Sequence, residues 1–135
     1  MIKNTLLALT LTASLSAPAW AQDSLVTPLP DICTAGMNHD MGATKMDTMA
    51  TDEAHKDLAM GMNETNAQMM QGMMASDIDV AFVCAMIPHH QAAINMAKAE
   101  LKHGDSDWAK EMAQKVIDAQ QKEIDDMLNW LAEQK

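Results

Sequence analysis

Arginine is missing from this chain altogether, and nine lysines face nineteen acidic residues for a formal net charge of −10. Proteins that grip phosphate backbones do so with basic side chains, so nucleic acid is excluded as a partner. Beyond the first 21 residues there is no long apolar run, so the mature form has no membrane span. The triplet spacing Glu-x-x-His does not occur, although a di-iron carboxylate centre in a helical bundle requires two copies of it. Nothing marks an enzyme. Leucine is scarce where a helical core would want it: from Met37 to Met74 there is one, Leu58, against ten methionines. A core-only role predicts Leu and Ile mixed with Met, and this composition departs from that.

The N-terminus has the form of an export signal. Lys3 supplies the positive start, Thr5 to Leu15 an uncharged and largely apolar stretch, and Ala19-Trp20-Ala21 a small-x-small site. Cleavage after Ala21 leaves a periplasmic protein that begins at Gln22. Its two cysteines, Cys33 and Cys84, form an even pair in an exported chain, which suggests a disulfide. Such a bond would close a loop of about 50 residues. The other reading makes both thiolates soft metal ligands. Pro28, Pro30 and Gly36 argue against a helix over residues 22–36 and for an extended segment, tied down if Cys33 is bonded. Met37, His39 and Met41 then alternate as Met-x-His-x-Met. Alternate donors can wrap an ion when the backbone is flexible, so residues 22–50 read as a flexible Met/His-rich arm. The other reading of this stretch is an acidic linker with incidental methionines.

Residues 51–135 read as a helical metal-binding domain of three main helices. The first covers 52–75 behind an Asp52 cap, weakened by Gly61 and Gly72. His55, Met62 and Met69 follow at heptad spacing, with Met73 one turn further on. The second covers 77–103, starting at Asp77 or Asp79 and ending at Gly104. The third covers 106–133, with Met112, Val116, Gln120, Glu123, Ile124, Met127 and Leu131 as its inward stripe. Pro88 inside the second helix should kink it or free a carbonyl just ahead of His89 and His90. On a helical wheel Asp79, Phe82, Met86, His89, His90, Ala93, Met96 and Ala97 fall within about 120°. That face carries thioethers, imidazoles and a carboxylate, and thioether with imidazole is the donor set that selects Cu(I). A facing Glu123 could accept from a histidine ring N–H, the arrangement that orients a metal-bound imidazole. Equally, Gln120 and Glu123 could lie at the stripe's edge in water.

At Asp79, Phe82, Met86-Ile87-Pro88-His89-His90-Gln91, Ala93, Met96 and Ala97, and again at Gln120, Glu123, Ile124, Met127 and Trp130, the chain resembles domain-of-unknown-function family 305. These are small exported helical proteins that include copper-binding members of the CopM type. The resemblance covers about residues 52–133. It implies a ferritin-like, all-α antiparallel bundle that binds copper or silver through Met and His. The expected ligands are Met86, His89, His90, Met96, Met37, His39, Met41, His55, Met62, Met69, Met73 and Met127, with Asp79, Gln120 and Glu123 around them. The expected function is Cu(I) binding, with Ag(I) as a surrogate, in copper tolerance, storage or transfer to another periplasmic copper protein. The competing expectation is an envelope protein that binds partners, not metal, through a Met-rich helical surface.

Overall fold

The structure, a computed structural model, describes residues 25–34 and 52–134. Five helices occur in these residues and no strand: α1 Asp31–Thr34, α2 Glu53–Ala59, α3 Met62–Gly72, α4 Ile78–His103 and α5 Asp107–Ala132. The fold is all-α. The signal segment, its cleavage site after Ala21, and Met37, His39 and Met41 lie outside the described residues.

α4 and α5, 26 residues each, are the frame. Asp77 caps α4, its carboxylate accepting from the amides of Asp79 at 2.9 Å and Val80 at 3.0 Å. These are donors that the first helical turn leaves orphaned. Gly104 closes α4, and the short link to the Ser106 cap turns the chain back, so α5 runs antiparallel to α4. Between them lies an aliphatic core of Val80, Cys84, Ile87, Ile94, Ile124 and Leu131, with Ile117, Leu128, Met127 and Trp130 packed on its margin.

Two expected helices differ, and the segment expected to be extended over 22–36 contains the helical turn α1. The helix predicted over 52–75 is broken into α2 and α3 at Gly61, whose φ of +79° is left-handed. A Cβ there would fall 2.8 Å from Asn95 Nδ2 and 3.2 Å from Leu25 Cβ, so glycine serves both the turn and the close approach. The inward stripe of α5 is also rotated from the one expected. Ala113, Ile124 and Leu131 are its buried residues, while Met112 and Glu123 are exposed at its edge. Burying the Glu123 carboxylate among aliphatic side chains would be costly, so it stays at the edge while Ile117 and Leu128 pack partly buried against the core.

Residues 25–34 form a strap on the bundle. It contains one helical turn, α1, directly after Pro30, a place where proline's fixed φ is tolerated. The Thr27 hydroxyl donates to Gln91 Oε1 at 2.6 Å, and Asn95 Nδ2 donates to the Leu25 carbonyl at 2.8 Å. Cys33 and Cys84, both buried, are joined by a disulfide with Cα atoms 5.5 Å apart.

Pro88 does not end α4, which continues helical through it. Having no N–H, Pro88 leaves the Cys84 carbonyl without its usual helical donor. The backbone of Gly72 lies against that carbonyl: a Cβ on Gly72 would be 2.6 Å from both the carbonyl carbon and oxygen of Cys84. The freed carbonyl therefore serves the α3–α4 crossing. In an open helix Gly→Ala gains about 1 kcal/mol, but forcing a methyl into a packed contact costs about 1–3 kcal/mol. Gly72→Ala is expected to lower stability in urea denaturation, by up to roughly 2 kcal/mol net. A stabilised variant would show that α3 and α4 are not in this close contact.

Candidate metal centre

The adjacent histidines of α4 part company. At about 100° per residue they cannot face the same way, and in the structure His89 is exposed while His90 is 7% exposed. His90 points at α5, where its Nε2 lies 2.7 Å from Glu123 Oε2. Glu123 keeps 56% of its side chain in solvent, and a carboxylate only accepts. Nε2 is therefore the donor. A neutral His90 then has a bare lone pair on Nδ1, and this buried atom finds no hydrogen-bond partner among the described residues. Gln120 Oε1, one turn before Glu123, is buried and unpartnered in the same sense. Leaving such atoms unpaired costs about 1–3 kcal/mol each.

A carboxylate on one ring nitrogen and an open lone pair on the other is how metal-binding imidazoles are held. The carboxylate fixes the tautomer and raises the basicity of the free nitrogen. Helical register brings two methionines within one turn of this pair. Met86 is one turn before His90, and Met127 is one turn beyond Glu123. Because α4 and α5 are antiparallel, those steps run in the same direction. Met86 is half-buried, and Met127 packs on the margin of the core.

The remaining candidates are not all brought here. Met96 faces outward from α4, seven residues past His89, a rise of about 10.5 Å. Asp79 is exposed at the start of α4, about 16 Å of helical rise from His90. It is too far to support His90, and its amide is engaged by the Asp77 cap. α3 meets α4 at Cys84, about 160° around the helix from Met86. Met62 and Met69 on α3, and Met73 just after it, therefore lie apart from the His90 pair, with Met73 exposed.

His55 lies apart from His90, exposed in the cap of α2. Its Nδ1 lies 2.7 Å from Asp52 Oδ2, inside the cap of α2. The Asp52 carboxyl is held below the usual range first by the His55 backbone amide and then by its ring. Nearby, Asp57 accepts from His103 Nε2 at 2.7 Å and Lys102 Nζ at 2.6 Å, tying α2 to the end of α4. Those two bonds, His103's first, hold the Asp57 carboxyl below its usual range. His103 reads from the sequence only as a basic residue in a last helical turn. Its partner lies 46 positions earlier, beyond any local spacing rule.

Among the described residues, no three His, Cys, Asp or Glu side chains converge as a metal cage. A hard, oxygen-rich site is not built there. A centre that draws on thioethers is a different donor set.

A family model described as a domain of unknown function (DUF305) matches residues 16–131. The chain belongs to the DUF305 family. The match includes the strap as well as the bundle, so the segment carrying Cys33 is part of the DUF305 unit. No curated protein matches the chain. Among its described residues, no helix is long and apolar enough to cross a membrane.

Proposed function

We propose that this DUF305 protein is an exported, periplasmic Cu(I)-binding protein, acting in copper tolerance, storage or transfer and accepting Ag(I) as well. The observation that carries the reading is the unpartnered, buried Nδ1 of His90, whose Nε2 meets the Glu123 carboxylate, with Met86 and Met127 each one helical turn along α4 and α5. Imidazole and thioether are donors suited to Cu(I), and thioethers bind without losing a proton. Two bonded cysteines leave thioethers as the chain's soft sulfur. The methionines of α3 supply a second group of the same donors, and the Met37-His39-Met41 pattern a third. The strongly acidic chain suits a cation as cargo.

The test is anaerobic titration of residues 22–135 with Cu(I) against a competing chelator, repeated with Ag(I), Zn(II) and Mg(II). More than one Cu(I) per chain is expected, with Cu(I) and Ag(I) held more tightly than Zn(II) or Mg(II). Zn(II) binding as tight as Cu(I) would defeat the proposal. One observation favours a second reading. Met73, Met74, Ile78 and Phe82, near the α3–α4 turn, are exposed, and Ile78 and Phe82 have most of their surface in solvent. Such a surface suits a partner-binding helical protein that uses no metal. Absence of Cu(I) binding in the same titration would favour it.

A further inference from the structure

His89 has no role in a centre defined by His90 Nδ1 alone, yet its ring is held beside that of His90. The two centroids are 5.8 Å apart and the planes are tilted by 60°. An imidazole nitrogen binds a metal at about 2.0 Å, which puts the metal about 3.1 Å from the ring centre. Two imidazoles on one ion, at angles from tetrahedral to linear, thus have centroids about 5–6.3 Å apart. The observed separation falls within that span. One ring of this pair is open to solvent and the other is buried.

We propose that His89 is the exchange ligand of the site: it takes Cu(I) from solvent or a donor and shares the ion briefly with His90. It then releases the ion inward to the buried nitrogen and the thioethers. The proposal rests on the Cu(I)-binding reading above. Each step exchanges one neutral donor for another at the same ion. No electron moves and, with both ligating nitrogens unprotonated, no proton is displaced. The buried centre alone would have to shed a ligand before an incoming chelator could reach the ion. An exposed ligand within one ion's span offers an associative route, so its removal slows loading and unloading in both directions. The equilibrium, set by the buried donors, changes far less.

The test is stopped-flow transfer of Cu(I) between the protein and bicinchoninate, measured in both directions alongside the equilibrium constant. His89→Ala is expected to slow both directions by a similar, several-fold or larger factor. Its equilibrium affinity should fall by a much smaller factor. His89→Met, which restores a soft donor at the surface, should recover the rates, and His89→Gln should not. Because His89 is exposed, these variants are expected to keep the helical circular dichroism of the parent. Unchanged rates in His89→Ala, with Cu(I) binding intact in the parent, overturn this proposal alone. So does an affinity loss equal to that of His90→Ala, which would make His89 an ordinary ligand. A parent that binds no Cu(I) overturns the functional reading, and this proposal falls with it.

Discussion

Replacing His90 by alanine is expected to remove the tightest histidine-dependent Cu(I) site while leaving the bundle folded. Among the described residues the ring contributes the one buried side-chain nitrogen without a hydrogen-bond partner, so its loss removes the donor itself. Affinity at that site should fall by more than the 10–100-fold that loss of a supporting partner costs. Glu123→Gln separates donor from support. The amide oxygen can still accept from Nε2–H and hold the ring, but it lacks the charge that raises the basicity of Nδ1. Its expected loss is within that 10–100-fold range, and Glu123→Leu, which removes orientation too, should lose more. Stability should change little in Glu123→Gln, whose amide oxygen still accepts from Nε2–H, whereas Glu123→Leu leaves that donor unpaired at a cost of about 1–3 kcal/mol. Protons compete with metal for an imidazole nitrogen, so binding at this site weakens as pH falls. Methionine has no such proton. Cu(I) held by methionines alone should therefore persist at about pH 5, below the range in which imidazoles ordinarily titrate. Competition titration of each variant at two pH values reads all of this. A His90→Ala protein that keeps full, acid-sensitive affinity would remove His90 from the site.

Loss of the Cys33–Cys84 bond should produce the largest change in stability. The closed loop spans 51 residues. In the chain-entropy account a loop of that size stabilises the fold by about 4 kcal/mol, within a usual range of roughly 2–4. For a helical unit near 100 residues, each kcal/mol is worth about 4–8 °C in Tm. The Cys33→Ala/Cys84→Ala double variant should therefore melt roughly 10–30 °C below the parent. The strap adds to the effect. Leu25 and Thr27 reach Asn95 and Gln91 across α4, and those bonds hold only while the segment is docked. Thermal melting of the double variant, beside the parent with and without reductant, is the measurement. A variant that melts with the parent would show that the hydrogen-bonded strap suffices by itself.

Local sequence rules were enough for the all-α class, for the two long helices, and for which residue types could matter. Capping acts within three or four residues, so Asp77, Gly104 and Ser106 mark their helix ends in the chain itself. The crowding of soft donors around Met86-Ile87-Pro88-His89-His90 is likewise a property of composition and spacing. Tertiary structure decided the rest, because it depends on which helix faces lose water. The wheel placed His89 and His90 on one broad face, but packing against α5 buried only His90. Ile117 and Leu128 pack on the margin of the core while Met112 and Glu123 stay exposed, which leaves Glu123 at the edge where His90 reaches it. Gly61 could be read as a weak point in a helix. The break itself required Leu25 and Asn95, 36 positions before and 34 after it, to crowd the same backbone. The expected unit of two adjacent histidines thus became one buried nitrogen with a carboxylate behind it and one exposed ring beside it, because desolvation acts on helix faces and adjacent residues do not share one.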